Sequence, residues 1–220
     1  MTILEDTNSG RQKKIDQKRI EQVDTILRAA TAVFAELGYA GARVDEIARR
    51  AGVNKATIYY RIGDKRELYA RALHTVISDL GKRLSQSLNK EKDPIENIKT
   101  YIWSVGSHLE KHPYIAPIML RELTTMGRHI PDVVIKDVAQ IMTLLSEILI
   151  EGREKQVLRQ TNPVLFHFMV VGTIFLSKIV QNVNDEDRLP PSVPKELLES
   201  LSGSKIAEVE EMALRIVEKV

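Results

Sequence analysis

Apolar residues recur every three or four positions along most of the chain, which is the spacing of one face of an α-helix. The first such stretch predicts a helix of about 18 residues that is closed by Gly38. Its buried face is predicted to contain Val23, Ile26, Leu27, Ala30, Val33, Phe34 and Leu37. Because no credible run of strictly alternating apolar and polar residues follows, the pattern indicates an all-α protein.

The same periodicity continues beyond Lys65, and local start signals support several further helices. Asp93–Pro94, Pro131 and Asn162–Pro163 are such signals, because a side-chain acceptor before the first turn and a proline within it suit a helix N-terminus. The predicted helices lie near residues 65–89, 94–111, 114–127, 131–155, 163–184 and 204–219. We predict a loop from Asn184 to Pro194, where prolines cluster.

Two short predicted helices flank a glycine turn. The first spans residues 44–51 and ends at Gly52, which can take a positive φ at little steric cost. Val53 is predicted to fill the corner, and Asn54 to cap a second helix that begins near Lys55. A helix, a turn and a helix are typical of DNA-reading motifs. Taken without its surroundings, the pattern fits an ordinary helical hairpin equally well.

Together these segments resemble the N-terminal domain of the TetR family of transcriptional regulators. The resemblance rests on Ile26–Ala30, Phe34–Tyr39, Ile47–Ala48, Ala51–Val53, Tyr59–Tyr60 and Lys65. It implies an N-terminal three-helix DNA-binding domain and a C-terminal helical domain that binds an effector and forms the dimer. The implied ranges are a basic flexible arm over 1–19, the DNA-binding domain over 20–80 with its helix-turn-helix motif at 43–62, and the C-terminal domain over 81–220.

The second motif helix enters the DNA major groove, by the same resemblance. Cations there suit phosphates, and small side chains can approach base edges. Lys55 and Thr57 are the candidates for contacts at or near bases, whereas Lys65 and a tyrosine of the Tyr59–Tyr60 pair are candidates for phosphate contacts. The complete set of predicted DNA-binding residues is Arg43, Asn54, Lys55, Ala56, Thr57, Tyr59, Tyr60 and Lys65.

Two positions depart from the family pattern. Ala42 and Arg43 stand where a Thr or Ser usually caps the first motif helix. Arg43 can hold a phosphate as a cation, but the cap is then either unfilled or supplied by Asp45. Arg61 and Ile62 occupy the place of a common His-Phe pair. We expect the fold to tolerate both changes.

Charge is distributed unevenly along the 220 residues. Between Arg11 and Arg71 the sequence has 14 Lys and Arg against 8 Asp and Glu, a balance of +6, whereas the whole chain carries +2. This asymmetry favours a nucleic-acid surface at one end of the chain and predicts binding that weakens as salt rises. The basic arm either follows a DNA backbone or is a solvated tail without a role.

Composition narrows the possible settings of the protein. The chain contains no cysteine, so neither a disulfide nor a thiolate metal site can form, which fits a reducing compartment. No apolar signal segment opens the chain, and His167, Gly172, Ser177 and Lys178 interrupt its most hydrophobic run, Val164–Val180. We therefore expect a cytoplasmic protein without a membrane span.

The middle helices are predicted to form an effector pocket. TetR-like regulators generally hold an inducing ligand in this region, so the resemblance implies a small apolar effector. The candidate pocket residues are Ile77, Trp103, His108, Met119, Glu122, Met126 and Met142. For each of them, ordinary core packing is the alternative.

We expect no metal site, no cofactor and no enzymatic activity. His108 and His112 have i, i+4 spacing, but the sequence offers no nearby cysteine or acidic cluster except Glu110, which points elsewhere on the helix. No glycine-rich phosphate loop or nucleophile motif favours an enzyme. A DNA-binding or protein-interaction module without an effector remains an alternative.

Apolar stripes on the last two predicted helices require a partner. The resemblance implies that they pair with their copies in a four-helix bundle, and core packing within one subunit is the alternative. The candidate interface residues are Phe168, Gly172, Phe175, Ile179, Val209, Met212 and Ile216. Such a homodimer would bind a palindromic double-stranded DNA operator with reading heads about 34–36 Å apart. We expect a repressor that its effector releases, with an activator as the alternative.

Overall fold

The computed structural model describes residues 3–89, 91–182, 196, 200 and 203–219, with side chains from residue 14 onward except those of 179–182. Within these ranges the regular structure is α-helical, and one isolated β-bridge pairs Leu158 with Glu218. The predicted all-α fold is confirmed.

The helices begin and end close to the predicted positions beyond Lys65. Their bounds are α1 Ile3–Gly41, α2 Val44–Ala51, α3 Lys55–Arg61, α4 Lys65–Ser87, α5 Pro94–Lys111, α6 Ile115–Thr124, α7 Asp132–Glu154, α8 Pro163–Asn182 and α9 Ile206–Val217. Asp93 caps α5 as expected, since its Oδ1 accepts a hydrogen bond of 2.8 Å from the amide of Ile95. None of the described helices has the length and apolarity that a membrane crossing requires.

Helix α1 corrects the predicted flexible arm. It begins at Ile3, so the described part of the 1–19 segment is helical. The residues from Arg11 to Leu37 include neither proline nor glycine, and the segment is rich in Gln, Lys and Arg, which lose little side-chain freedom in a helix. Gly38, at φ 70° and ψ 171°, interrupts the helix where a closing glycine was predicted.

The chain forms two compact units whose division differs from the predicted boundary at residue 80. Unit one contains Met1–Thr75 and Pro117–Val133, and unit two contains Val76–Ala116 and Val134–Val220. The three boundaries fall inside α4, α6 and α7. The periodicity of a continuous helix carries no mark of a change of unit, which is why the sequence pattern could not locate these boundaries.

The core of unit one joins the first four helices. Phe34 and Tyr69 are almost fully buried, and their rings meet edge to face with centroids 4.7 Å apart. Ile47 of α2 and Ile58 of α3 have no exposed surface. The apolar face of the predicted helix-turn-helix therefore packs inward, which orients the opposite face of α3 toward solvent.

The core of unit two is built from apolar side chains of α4, α5, α7, α8 and α9. Ile98, Tyr101 and Leu145 are fully buried within it. Helices α5 and α9 approach closely at Gly106, where a Cβ would lie 2.6 Å from the Ile206 side chain. Only a glycine permits this approach without a shift of α9.

Candidate nucleic-acid interface

The turn between α2 and α3 has the predicted geometry. Gly52 adopts the left-handed conformation, at φ 65° and ψ 31°. The amide of Val53 donates to the carbonyl of Ala48 at 3.0 Å, so the last turn of α2 is closed by backbone hydrogen bonds. Asn54 then caps α3, because its Oδ1 accepts a hydrogen bond of 2.9 Å from the amide of Ala56.

The outer face of α3 carries two exposed phenols. Tyr60 is 86% exposed and Tyr59 is 48% exposed, whereas Ile58 between α3 and the core is fully buried. Ala56 is also exposed, and Thr57 is half-buried. Two neighbouring exposed phenols offer both ring surface and hydroxyl groups, so the face is a candidate contact surface.

An ion pair connects the starts of α2 and α3. Nζ of Lys55 lies 2.9 Å from Oδ2 of Asp45, and this hydrogen bond raises the pKa of Lys55. Asp45 is therefore committed to Lys55, and α2 begins without a side-chain cap. The cap that the sequence left open is unfilled. Arg43, at the cap position, is exposed.

Lys65 lies against the end of α1 and is half-buried. Its Nζ donates to the carbonyl of Ala40 at 3.2 Å and lies 4.7 Å from the ring centroid of Tyr39. Burial lowers the pKa of Lys65. The cation is thus held in one orientation by a carbonyl and an aromatic face.

A reciprocal cap fixes the start of α4. Oδ1 of Asp64 accepts from the amides of Arg66 and Glu67 at 2.8 and 2.9 Å, and Oε2 of Glu67 accepts from the amide of Asp64 at 2.9 Å. Gly63 precedes it at φ 118°, and a Cβ there would lie 1.7 Å from the Glu67 carboxylate. The Asp-x-x-Glu spacing could have revealed this cap from sequence.

Part of the predicted basic surface is neutralised internally. Arg50 binds both oxygens of Glu36 at 2.6 and 2.7 Å and also reaches Glu46 at 2.7 Å, and Arg49 lies 2.8 Å from Glu46. Hydrogen bonds from Arg49 and Arg50 lower the pKa of Glu46 to about 2. Arg50 attaches α2 to α1, whereas Arg49 pairs within α2, and both cations are less available to an outside anion than the charge balance suggests.

The segment 117–133 packs within unit one, which the sequence did not reveal. Glu122 is buried, and its Oε1 accepts a hydrogen bond of 2.9 Å from the hydroxyl of Tyr69. The ring of His129 stacks on Tyr39 with centroids 4.9 Å apart. Arg121 donates to the carbonyl of Glu36 at 3.0 Å.

Two of the predicted effector residues are corrected by these contacts. Met119, Glu122 and Met126 belong to unit one. Glu122 is committed to Tyr69, and Met126 is 96% exposed at a turn with φ 56°. A polar contact thus occupies Glu122 and a surface turn exposes Met126, which apolar periodicity could not indicate.

In unit two the remaining effector candidates separate into core and cleft. Ile77 is buried, and Met142 is half-buried. Trp103 and His108 line a cleft of about 420 Å³ that we call the α4–α5 cleft. Its other lining residues are Arg83, Gln86, Ser87, Ser104, Ser107, Lys111 and His112. Most of the residues that line the cleft have polar or charged side chains, unlike those of the predicted apolar pocket.

The predicted dimer residues also divide. Phe168, Met212 and Ile216 are about half exposed, and open space surrounds the Cβ position of Gly172. Phe175 and Val209 are buried in the core of unit two, so the prediction is wrong for them. The apolar stripes of α8 and α9 are wider than the exposed faces of these helices, so they include positions that face the core. The side chain of Ile179 lies outside the described residues. Leu165 and Leu176, both exposed, are absent from the predicted set.

Residues 26–72 match the family model described as bacterial regulatory proteins, tetR family. The matched range includes the end of α1, both helices of the motif and the start of α4. The N-terminal domain of this chain belongs to the TetR family. The chain therefore contains a helix-turn-helix DNA-binding domain of transcription regulators, and the proteins it matches are regulators rather than enzymes.

Curated relatives extend this assignment. The chain is 26% identical over 106 residues to the HTH-type transcriptional repressor NicS of Pseudomonas putida. The matched residues make up 48% of this chain and 50% of NicS. The match thus spans about half the length of that relative. The chain is also 23% identical over 189 residues to YhgD of Bacillus subtilis, an uncharacterized HTH-type transcriptional regulator. That match covers 85% of this chain and 93% of YhgD.

A solved structure supports the helical fold over most of the chain. The transcriptional regulator FadR from Bacillus subtilis, in complex with stearoyl-CoA, superposes with a TM-score of 0.62 at 22% identity. The similarity covers 86% of this chain and 96% of FadR. The C-terminal helices therefore share the fold of this regulator as well.

Proposed function

We propose that the protein is a homodimeric transcriptional repressor that binds a palindromic DNA operator through α3 and is released by a small-molecule effector. The exposed Tyr59 and Tyr60 face of α3, capped by Asn54 and within the family-matched range, carries this proposal. The relative NicS is a repressor, which supports repression over activation as the mode of regulation. Access to chromosomal DNA makes the cytoplasm its proposed location.

Three cations around α3 have proposed roles at phosphates. Arg43 is exposed beside the uncapped start of α2, where free amides favour an anion. Lys65 is already oriented by Ala40 and Tyr39. Lys55 donates one of its three N–H groups to Asp45 and keeps two for DNA.

The proposed DNA contacts are tested with labelled DNA fragments across a salt series. Genome-wide selection of bound fragments supplies the operator, and fluorescence anisotropy measures its affinity. We expect Tyr60→Ala and Arg43→Ala to lose at least tenfold in affinity (about 1.4 kcal/mol). Lys155→Ala is the control, because it removes an exposed cation paired with Glu151 in unit two. Operator affinities of Tyr60→Ala and Arg43→Ala that equal the parent's would overturn the assignment.

The proposed homodimer uses the exposed apolar face of α8 and α9. Leu165, Phe168 and Leu176 recur at helical spacing on α8 and are more than half exposed. Met212 and Ile216 extend this apolar surface along α9. Contiguous exposed apolar surface of this kind usually belongs to an interface.

A charge placed on this face distinguishes an interface from ordinary surface. We expect Leu176→Glu to convert a dimer into a monomer in light scattering coupled to gel filtration. Ile150→Glu on α7 is the matched control, because Ile150 is also an exposed apolar residue of unit two, 47% open. A parent protein that is monomeric at micromolar concentration would contradict the proposal.

The proposed effector binds in the α4–α5 cleft. Trp103 offers an apolar wall, whereas Ser104, Ser107 and Lys111 offer polar contacts. An effector with an apolar body and a polar or anionic group fits this lining better than the purely apolar molecule predicted from sequence. Effector-independent regulation and activation are the alternatives.

Trp103 is the only tryptophan of the chain, so its fluorescence reports occupancy of the cleft directly. Candidate effectors that change this fluorescence are then added to the operator complex. We expect the operator affinity to fall, because the effector must bind the DNA-free state more tightly to shift the equilibrium. Tighter operator binding would reverse the sign and favour an activator.

A further inference from the structure

Three potential metal ligands meet at the α4–α5 cleft. His108 and His112 lie one turn apart on α5, with ring centroids 4.5 Å from each other. Asp79 of α4 lies beside them. One ring nitrogen of each histidine and one carboxylate oxygen of Asp79 lie within 4.8 Å of one another. Asp79 is the third ligand that sequence reasoning could not find, because it comes from another helix.

His108 has an unused ring nitrogen. Its side chain is only 4% exposed, and its Nε2 has no hydrogen-bond partner. A buried polar atom without a partner is costly. The other ring nitrogen of His108, Nδ1, lies 3.8 Å from Oδ2 of Asp79. Burial lowers the pKa of His108 to about 4 and also lowers the pKa of His112.

We propose that Asp79, His108 and His112 bind a divalent transition-metal ion, with Zn²⁺ as the physiological candidate. Two imidazoles and one carboxylate suit Zn²⁺, Co²⁺ or Ni²⁺, whereas Mg²⁺ and Ca²⁺ prefer shells made of oxygen. The chain contains no cysteine, so imidazole and carboxylate groups are the side chains with which it can bind such an ion.

Small side-chain movements bring the three groups to binding distance. A tetrahedral zinc shell with bonds of about 2.0–2.2 Å separates its ligand atoms by roughly 3.3–3.6 Å. Asp79 is 42% exposed, and one hydrogen bond restrains its carboxylate. Arg83 donates to Oδ2 of Asp79 at 2.7 Å. It can remain there as an outer partner that orients the carboxylate, while the other oxygen binds the ion.

The cleft leaves a coordination position open. His108 and His112 both line it, so water or an anionic ligand group can reach an ion held by them. Three protein ligands and one open position are typical of zinc sites that exchange ligands, in contrast to the closed shells of structural sites. The ion would also connect α4 to α5, because its ligands come from both helices.

Titration of the untagged full-length protein with Zn²⁺ in a calorimeter, and with Co²⁺ in a visible-absorption experiment, tests the site. We expect one saturable site per chain and tetrahedral d–d bands with Co²⁺. Asp79→Asn and His112→Gln should each weaken binding at least tenfold. His74→Gln, which removes a histidine of unit one, is the control and should bind as the parent does.

The variants are chosen to retain the fold. Asp79 and His112 are only partly buried, so their replacements are milder than a change of the buried His108. Far-UV circular dichroism verifies folding before titration. Failure of the parent to bind either ion saturably would overturn the proposal. Binding that both folded variants retain at parental affinity would overturn it equally.

Discussion

The hydroxyl of Tyr69 donates a hydrogen bond of 2.9 Å to Oε1 of Glu122, which lies 53 residues further along the chain. Both side chains are buried. The other carboxylate oxygen of Glu122 accepts a bond of 3.2 Å from the backbone amide of His129. These contacts attach the segment 117–133 to the start of α4 within unit one.

Loss of the Tyr69 hydroxyl should destabilise unit one. We expect Tyr69→Phe to lower the free energy of unfolding by about 1–3 kcal/mol, because it removes the phenol that donates to Oε1 of buried Glu122. Urea unfolding of the parent and the variant measures the difference. Tyr114→Phe is the control, since Tyr114 is 47% exposed and should change stability little. Equal stability of parent and Tyr69→Phe would contradict this account.

Replacement of Gly63 should disturb the start of α4. We expect Gly63→Ala to cost about 1–3 kcal/mol, because the residue has φ 118° and an added Cβ meets the Glu67 carboxylate. Gly81→Ala is the matched control inside α4, where a Cβ makes ordinary contacts at 3.7 Å and should add up to about 1 kcal/mol of stability. Thermal unfolding compares the stabilities of the two variants. If Gly63→Ala is as stable as the parent, the Glu67 side chain moves away from the added Cβ at little cost.

Acid should weaken unit two through His167. Its Nδ1 lies 2.5 Å from the Tyr101 hydroxyl, and burial lowers its pKa from 6.5 to about 4. Because the unfolded chain binds a proton more readily than the folded chain, stability present above pH 6.5 is lost as the pH falls toward 4. This histidine contributes at most about 3 kcal/mol.

The variant His167→Gln isolates that contribution. Glutamine can still accept a bond from Tyr101 but does not titrate. We expect its stability to fall less than that of the parent between pH 7 and pH 5 in urea unfolding experiments. His108 keeps its own pH dependence in both proteins, so the difference reports His167 alone. Parallel pH profiles would sink this assignment.

Removal of Asp45 should strengthen DNA binding. The carboxylate is 68% exposed and holds Lys55 at 2.9 Å, so it both repels phosphates and occupies a cation. We expect Asp45→Asn to bind DNA several-fold more tightly, with a log–log salt slope steeper by about 0.9 if Lys55 gains a phosphate. Glu96→Gln, which frees Lys99 in unit two, controls for net charge. Weaker binding by Asp45→Asn would mean that Asp45 positions Lys55.

The helix-turn-helix could be predicted from sequence because its signals are local. Apolar spacing defines α2, Gly52 supplies a positive φ, and Asn54 caps α3 with its own side chain. Each signal acts over a few residues, so neither a partner helix nor the rest of the core has to be known. The starts of α5 and α8 could be predicted for the same reason, since Asp93 and Asn162 accept hydrogen bonds from nearby amides.

Relationships between distant helices could not be predicted in this way. Asp79 reaches the histidines of α5 only after α4 and α5 pack, and Glu122 finds Tyr69 across 53 residues. The apolar stripes of α8 and α9 posed a different problem. Phe175 and Phe168 look alike in a periodic pattern, yet one fills the core and the other is exposed. Periodicity reports that a position is apolar but does not identify what it packs against.

The two separate stretches of unit one constrain the order in which it can be completed. During synthesis, α1, α2 and α3 leave the ribosome long before residues 117–133. Until then Tyr39 has no His129 ring to stack on, and the Tyr69 hydroxyl has no Glu122 carboxylate to accept its hydrogen bond. A fragment cut at Leu80 would remain in that unfinished state. The DNA-reading unit therefore gains its last contacts only after more than half of the protein has been made, and an N-terminal fragment transplanted alone would lack them.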